Sequence, residues 1–348
     1  MNFTNVSIEN FRGIRKCNIS DLGLVNVFFG KNNCGKSTLL EALFLMSGPS
    51  NPILPVLVNN LRQLVSSSED DILTDFYELN AENEINIKGE GNNKREVCVS
   101  MIKSQSNQVD LSQLTQNNTE QSGKKFGLKI AYRIGDSEKI HHSELIVDPN
   151  DENKANAKTE KGYEEGMYAE YIPSGNIMLH TNEKLAQIII EKREAEIVEA
   201  LKLIEPKIKD IQLIDKKIMV DVGLSSRLPV NVLGDGVRKI LSILLAIHSA
   251  KGGMLMIDEI DNGLHYSVMQ NLWKVILHAC KKNDTQIFVS THSADLVSAL
   301  VEVFNQEDMA ETSVSAYKLV KKEDDELVAL RYDKEKLTYV INQEMEVR

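Results

Sequence analysis

The sequence predicts an α/β fold with a mixed N-terminal sheet, a parallel-sheet core and an inserted α+β lobe. Strand-like and helix-like apolar patterns alternate towards both ends of the chain, which is typical of a parallel sheet covered by helices. In the middle, short apolar runs are separated by polar stretches rich in Asn, Gln, Ser, Lys and Glu. We therefore divide the chain into the first part of a core domain (1–50), an inserted lobe (51–205) and the second part of the core domain (206–348).

Charge and cysteine content limit the classes of function. The formal net charge is −11, so a generally basic surface is excluded and nucleic acid would need a local basic patch. The four cysteines are scattered without a Cys-x-x-Cys pair, which favours a reducing compartment over a disulfide framework or a zinc site. The first residues lack the pattern of a signal peptide, and no apolar run approaches the ~18 residues of a membrane span. We expect a cytoplasmic protein without a membrane partner.

The first fifty residues predict three strands, a loop and a helix. The strands are Phe3–Ile8, Ile14–Ile19 and Val25–Phe29, and the helix is Lys36–Met46. The loop Gly30–Ser37 reads Gly-Lys-Asn-Asn-Cys-Gly-Lys-Ser, which is the GxxxxGK[ST] pattern of a P-loop. It lies between a strand and a helix, as this motif requires.

The P-loop predicts a site for ATP and Mg²⁺. Its glycines let backbone amides and the helix N-terminus face the phosphates. Lys36 should reach the β- and γ-phosphates, and the Ser37 hydroxyl should ligate Mg²⁺. The residues predicted to contact the nucleotide from this segment are Gly30, Asn32, Asn33, Cys34, Gly35, Lys36, Ser37 and Thr38. Cys34 is interpreted as a small tolerated side chain rather than a redox switch.

The inserted lobe predicts mainly strands and polar loops. Residues 104–125 and 148–165 are predicted to be exposed, mobile loops. Asn182–Ile204 predicts one helix, ended by Pro206. The predicted strands are Glu84–Ile87, Val97–Ile102, Leu128–Tyr132, Ser143–Val147 and Tyr168–Ile172.

The last third alternates strands with helices, the pattern of a parallel α/β core. The predicted strands are Ile211–Val222, Met254–Ile257, Gln286–Ser290, Ser313–Val320 and Leu327–Tyr332. The predicted helices are Val237–Ser249, Tyr266–Cys280 and Ala294–Phe304.

Two carboxylates follow the apolar strand Met254–Ile257, as in a Walker B motif with a catalytic glutamate. Asp258 would hold Mg²⁺ through its water shell, and Glu259 would orient or deprotonate the attacking water. An apolar run followed by Asp-Glu is a weak signal alone, because an ordinary strand end gives the same pattern. Paired with the P-loop, it becomes a strong one.

A single histidine, His292, follows the strand Gln286–Ser290. Ligands bind at the carboxyl edge of α/β sheets, so His292 fits a sensor of the γ-phosphate, with a purely structural histidine as the alternative. His265 fits a position at an interface. The pair His141–His142 is interpreted as a polar strand end rather than a metal site.

These motifs together resemble the ABC-class ATPase heads of RecF, SMC proteins and the OLD family. The chain is most similar to compact bacterial "AAA family ATPase" proteins related to OLD. The likeness covers both ends of the chain and none of the middle. Its residues are Ile8–Ile14, the P-loop, Leu233–Arg238, Ile257–His265, Ser290–Ser293 and the C-terminal stretch from Leu330.

The resemblance implies an ABC-type P-loop ATPase head that forms a head-to-head homodimer around ATP. The segment Leu233–Val237 stands where many such proteins have LSGGQ, with Gly234 in place of the serine and Asp235 in place of the first glycine. Gly236 matches the second glycine, and these three residues would contact the partner's nucleotide. Asp261 matches the D-loop aspartate, and Arg12 would also contact the nucleotide. No Q-loop glutamine is placed, since Gln63 is a poor candidate.

The resemblance also implies a biological role. OLD nucleases carry a C-terminal Toprim domain, and too few residues follow His292 for one. We therefore expect an ATP hydrolase that acts as sensor or regulator of a separately encoded effector, a nuclease, in bacterial anti-phage defence. The alternatives are a RecF-like DNA-repair ATPase that binds DNA, and a non-hydrolysing ATP-dependent scaffold. Higher oligomers than the homodimer stay open.

Overall fold

One mixed sheet of thirteen strands organises the part of the chain that the computed structural model describes, namely residues 2–64, 68–103, 125–147, 155–160, 162–175, 180–306 and 314–342. The strands in chain order are β1 Phe3–Phe11, β2 Ile14–Ile19, β3 Val25–Phe29, β4 Ile85–Gly91, β5 Arg95–Lys103, β6 Phe126–Ile134, β7 His141–Val147, β8 Ala155–Thr159, β9 Ala169–Ile172, β10 Asp210–Ile214, β11 Lys217–Asp221, β12 Leu228–Pro229, β13 Met254–Ile257, β14 Gln286–Thr291, β15 Val314–Lys321 and β16 Glu326–Tyr332. Strands β10, β11 and β12 form a separate small sheet.

The large sheet joins an antiparallel half to a parallel half. Its strand order is β8-β7-β6-β5-β4-β1-β2-β16-β15-β3-β14-β13-β9. Strands β15, β3, β14, β13 and β9 pair in parallel, whereas β1, β2 and β4–β8 pair antiparallel with one another. The expected mixed sheet with a parallel core is therefore confirmed.

Helices cover both faces of this sheet. They are α1 Lys36–Ser47, α2 Leu54–Leu61, α3 Glu69–Leu73, α4 Thr181–Ile190, α5 Glu194–Lys202, α6 Asp235–Ser249, α7 Met269–Asn283, α8 Ala294–Gln306 and α9 Lys334–Asn342. Short 3₁₀ turns occur at Tyr77–Leu79, Val230–Val232 and Tyr266–Val268. Within the described residues, no helix is long and apolar enough to cross a membrane.

The core strands alternate between two hydrophobic clusters, as the two-residue period of a strand requires. Leu255 and Ile257 of β13 face the cluster under helices α4–α8, whereas Met254 and Met256 face the cluster under α1 and α2. All four side chains are fully buried. Burial on both faces explains why this segment reads as a continuous apolar run, and it fixes where the following carboxylates emerge.

Two predicted elements differ from the observed ones. The helix predicted over Asn182–Ile204 is split into α4 and α5, because Lys192 adopts a left-handed conformation (φ 57°) and Arg193 N donates to Ile188 O. The strand predicted over Ile211–Val222 is the hairpin β10–β11. Its two-residue turn Asp215-Lys216 has positive φ at both positions, which matches the twist of the strands.

The inserted lobe contains more regular structure than expected. Strand β8 lies inside a stretch predicted as loop, and helices α2 and α3 were not predicted. Of the predicted loops, residues 104–124, 148–154 and 161 lie outside the described residues. Strand β9 pairs in parallel with β13, so this part of 51–205 belongs to the core sheet. The division into 1–50, 51–205 and 206–348 stays a prediction.

A buried arginine ties the inserted lobe to the helix that follows the P-loop. Arg95 of β5 donates through Nη1 to Ser47 O at the end of α1 (2.6 Å) and pairs with Glu165 (2.5 Å). A cation at a helix C-terminus satisfies the free carbonyls and the helix dipole. Ser143 of β7 adds a hydrogen bond from Oγ to Pro49 O (2.7 Å). The end of α1 is thus held by two strands of the lobe.

Replacing Gln286 should destabilise the whole core. Its amide is fully buried, accepts from Phe3 N (2.9 Å), and donates to Phe3 O (2.8 Å) and Gly23 O (2.9 Å). Gln286→Leu leaves these backbone groups unpaired, so we expect the free energy of unfolding to fall by about 2–4 kcal/mol in urea titration. Gln187→Leu, on the exposed surface of α4, is the control and should change it by less than about 0.5 kcal/mol. Equal effects would contradict this role.

Candidate active site

The loop Gly30–Ser37 connects β3, a central strand of the parallel half, to α1. Gly30 has φ 149°, and a Cβ placed there would lie 2.7 Å from Leu319 O of the neighbouring strand β15. Gly35 (φ 103°) and Asn33 (φ 63°) also have positive φ. The glycines of the motif are therefore required by close approach and by backbone conformation. The loop ends at the N-terminus of α1, where amides can face an anion.

The Lys36 ammonium lies inside this loop. Its Nζ donates to Gly30 O (2.8 Å) and Lys31 O (2.9 Å), and the residue is 7% exposed. The predicted phosphate-binding lysine is thus held at the loop by carbonyl groups. Cys34 is buried, and burial raises the pKa of its thiol, so it stays protonated and acts as a small neutral side chain.

Gly30→Ala tests whether the loop conformation is needed for binding. The new methyl would collide with the Leu319 carbonyl, so the loop must shift, and we expect ATP affinity to fall at least about tenfold. Gly166→Ala is the matched control, since a Cβ there meets no atom within 4 Å. Fluorescent-nucleotide titration measures both variants. Unchanged affinity in Gly30→Ala would show that the loop tolerates the displacement.

The turn after β13 is held to the end of β14 through Ser290. Ser290 Oγ donates to Asp258 Oδ1 (2.5 Å) and accepts from Glu259 N (2.8 Å), and Ser290 O accepts from Ile260 N (3.1 Å). Glu259 has φ 46°, a left-handed conformation that costs energy for a non-glycine residue. Such strain persists only where neighbouring groups fix it, and here Ser290 does so.

The next residues of the two segments also interact. Thr291 Oγ1 donates to Asp261 Oδ1 (2.6 Å), and His292 Nδ1 lies 3.8 Å from Asp261 Oδ2. Asp261 is buried, whereas the His292 side chain is 47% exposed. At this distance the carboxylate does not hydrogen-bond Nδ1, and the half-exposed ring leaves Nε2 available to a ligand. The structure therefore brings Asp258, Glu259, Asp261 and His292 together at one edge of the sheet.

Ser37 and Asp258 have the chemistry of a Mg²⁺ site. Hydroxyl and carboxylate oxygens are the hard ligands that Mg²⁺ prefers, and it retains several waters. Asp258 uses Oδ1 for Ser290, so its second oxygen can face a hydrated ion. Its charge also acts on Glu41, one turn after Ser37, where it raises the Glu41 pKa behind the larger effect of burial. The donor set thus fits Mg²⁺.

The predicted nucleotide residue Arg12 is engaged with protein groups. Its guanidinium donates to Glu41 (2.6 Å), Asp75 (3.1 Å) and Asn59 (2.5 Å), and its side chain is 8% exposed. Burial raises the Asp75 pKa to about 6, against the opposing effect of Arg12. A contact between Arg12 and nucleotide stays a prediction, since it would require these bonds to open.

Arg62, next to the weak Q-loop candidate Gln63, lies beside the P-loop helix. It donates to Glu41 through Nε (2.7 Å) and to Thr38 Oγ1 through Nη2 (3.1 Å). The Thr38 side chain, predicted to contact nucleotide, is thus bound by the inserted lobe. No motif marks Arg62, because its partners are distant in sequence.

The segment Leu233–Val237, which was expected to stand in place of LSGGQ, leads into the start of α6. Gly234 is the N-cap residue, and the helix begins at Asp235. Arg238 pairs with the Asp235 carboxylate, which reduces its repulsion of an anion at this helix end. A Cβ on Gly236 would lie 3.7 Å from the Leu264 side chain, so this segment lies beside the turn that follows Asp261 in the same chain.

A cavity of about 690 Å³ lies between the P-loop and the segment Asp261–His265, which was expected to be the D-loop. The residues that line it are Gly30, Lys31, Asn32, Asp261, Leu264, His265, Tyr266, Met269, His292, Ser293, Ala294 and Asp295. Among these, the rings of His265 and the exposed Tyr266 contact each other at a tilt of 41°, with their centroids 4.2 Å apart. Gly234, Asp235 and Gly236 do not line it in the described chain.

Sequence reasoning located the motif residues but missed the groups that hold them. Ser290 and Thr291 stood next to His292 in the sequence, and their hydroxyls were the available signal. Glu41 and Arg62 carried no recognisable pattern. Neither did Lys239 of α6, which donates to Glu259 O and Asn262 O.

A P-loop on a mixed sheet, with paired carboxylates and a histidine at the ends of the neighbouring strands, defines an ABC-type P-loop ATPase head. The fold agrees: a solved SmcHead bound to the C-winged helix domain of ScpA matches 97% of this chain and 100% of its own, with a TM-score of 0.53 and 12% identity. Residues 25–298 match the family model described as "AAA domain, putative AbiEii toxin, Type IV TA system". The chain belongs to this family of AAA-domain ATPases.

Two curated relatives differ in how much of the chain they cover. An "ATP/GTP phosphatase" of Helicobacter pylori is 26% identical over 371 aligned residues, which cover 98% of each chain. The "DNA replication and repair protein RecF" of Shewanella baltica is 36% identical, but over 81 residues, which are 23% of this chain and 21% of that protein. The first likeness spans the whole chain and the second a segment.

Proposed function

We propose that this protein hydrolyses ATP with Mg²⁺ at the site formed by Gly30–Ser37, Asp258, Glu259 and His292. The observation that carries this proposal is the fixed turn after β13, where Ser290 holds both the Asp258 carboxylate and the Glu259 amide. The relative named ATP/GTP phosphatase supports hydrolysis as the activity.

Each residue has a defined part in this proposal. Lys36 binds the β- and γ-phosphates and stabilises the charge that develops on the transferred group. Glu259 accepts a proton from the attacking water, and His292, which lies beside Asp261, donates to the γ-phosphate. Bound Mg²⁺ would neutralise phosphate charge, held by Ser37 and by Asp258 through water.

The proposal includes a head-to-head homodimer. Its support is that Asp261 and Leu264 line the P-loop cavity whereas the start of α6 does not, although the free amides of a helix N-terminus can bind an anion. In a dimer, the α6 N-terminus of one subunit would close the nucleotide site of the other. Light scattering with and without ATP tests this step.

We further propose that the dimer regulates a separate effector, a nuclease, in bacterial anti-phage defence. The family description, which names a putative AbiEii toxin of a type IV toxin–antitoxin system, supports a role in this class of conflict system. Phage plating on cells that carry the gene with its neighbours tests it. If phage formed as many plaques on cells with the wild-type gene as on cells with Lys36→Ala, the result would count against this role.

Phosphate release from ATP and from GTP, with Mg²⁺ or with EDTA, tests the activity itself. Mg²⁺-dependent release that is lost in Glu259→Gln is the expected result. Absence of release, also with partners present, would instead favour an ATP-dependent scaffold. The segment shared with RecF keeps a DNA-binding ATPase as the second candidate. Mobility shift with duplex DNA at rising salt tests it, since phosphate contacts give a steep salt dependence.

A further inference from the structure

Lys239, in the second turn of α6, is a buried lysine beside the predicted catalytic turn. The residue is 2% exposed, and its Nζ donates to Asn262 O (2.5 Å) and Glu259 O (3.2 Å). Burial lowers the pKa of Lys239 to about 8, although the carboxylates of Asp261 and Glu259 act in the opposite direction. The side chain is therefore mainly protonated at pH 7. Burying the ammonium costs desolvation energy. The hydrogen bonds to the two carbonyl oxygens have to offset that cost.

The two carbonyls belong to the two ends of one tight turn. Asn262 N donates to Glu259 O (3.0 Å), which closes the turn, and Glu259 itself is in the left-handed region (φ 46°). On the opposite side, Ser290 binds the amides of Glu259 and Ile260. The turn is thus fixed through its amides by strand β14 and through its carbonyls by helix α6.

Ser290 and Lys239, which hold the turn from its two sides, belong to different elements of the fold. Ser290 is the penultimate residue of β14, a buried strand of the central sheet. Lys239 lies four residues, about one helical turn, after Asp235, the first residue of α6. The start of that helix is the segment expected to meet the partner's nucleotide. A small rotation of α6 therefore displaces the Lys239 ammonium relative to the turn.

We propose that Lys239 is a positioning residue, which transmits the engagement of the α6 N-terminus to the turn Glu259–Asn262 and thereby sets the orientation of the Glu259 carboxylate. This inference rests on the proposed hydrolysis by a homodimer. In the proposed dimer, α6 of each subunit closes the nucleotide site of its partner. The same helix would then control water activation at its own subunit's Glu259. Lys239 does not itself touch the substrate.

Lys239→Met separates positioning from binding, because methionine keeps the length and apolar stem of lysine without the ammonium. We expect the Kd for ATP and the ATP-dependent dimerisation to change less than about twofold, whereas kcat falls about tenfold or more. Lys184→Met is the matched control, since Lys184 is an 11%-exposed lysine that pairs with Glu170 on β9. Lys184→Met should keep the wild-type kcat, although its free energy of unfolding should fall by about as much as that of Lys239→Met.

A double-mutant cycle with Glu259→Gln makes the test specific. If Lys239 acts through Glu259, removing it in the Glu259→Gln background lowers the residual rate no further. Lys239→Gln, which retains one donor group, should have an intermediate kcat and serves if the methionine variant does not fold. Wild-type kcat in both Lys239 variants, or additive losses in the cycle, would overturn the inference. An inactive wild type would instead overturn the proposed hydrolysis.

Discussion

Lys36→Ala is expected to lower ATP affinity about 100-fold or more, which corresponds to about 3 kcal/mol of binding free energy. The physical reason is the loss of a cation that lies within the loop, 2.8 Å from Gly30 O and 2.9 Å from Lys31 O, where the phosphates would be bound. Isothermal titration with a slowly hydrolysed ATP analogue and Mg²⁺ measures the change.

The exposed lysine Lys251 provides the control for this variant. Lys251→Ala removes the same charge from the chain without altering the loop, so it should bind ATP as the wild type does. Thermal unfolding of both variants without nucleotide checks that the fold is intact. If the folded Lys36→Ala variant bound ATP with wild-type affinity, the P-loop would not be the ATP-binding site.

Glu259→Gln is expected to lower kcat by about 10²- to 10⁴-fold while ATP still binds. The amide keeps the size of the side chain but cannot accept the proton of the attacking water. Because the backbone of Glu259 is fixed by Ser290 and Lys239, the turn should keep its conformation. With ATP and Mg²⁺, this variant should accumulate as a dimer by light scattering, since nucleotide persists in both sites.

Glu183→Gln, an exposed glutamate on α4, is the isosteric control and should retain the wild-type rate and the wild-type dimer lifetime. Normal turnover by Glu259→Gln would mean that another group activates the water. A slow rate without a stable dimer would separate hydrolysis from head-to-head association.

The parallel core could be predicted because its evidence is local. Strand β13 is a continuous apolar run and β14 contains the run Ile287–Val289. The functional side chains follow each run closely, so a single stretch of sequence reports both the strand and its chemistry. The P-loop is likewise read within eight adjacent residues. The topology then brings these strand ends to one edge.

The supporting contacts could not be predicted because they join distant residues. Ser290 and Asp258 are 32 residues apart, Lys239 and Glu259 are 20 apart, and Arg62 and Thr38 are 24 apart. Hydroxyl, ammonium and guanidinium groups of this kind are common on surfaces, so composition does not reveal which are buried. The turn at Asp215-Lys216 was missed for a related reason, because it lacks the Asn-Gly or Asp-Gly signal.

The continuity of the large sheet has a mechanical consequence. Strand β4 pairs with β1 from Phe3 to Glu9, and Arg95 and Ser143 hold the chain at and beyond the end of α1. Because these hydrogen bonds join α1 to the same sheet as β4–β8, we expect a displacement of α1 on nucleotide binding to move the antiparallel half with it. Strand β8, at the far edge of the sheet, would then move furthest.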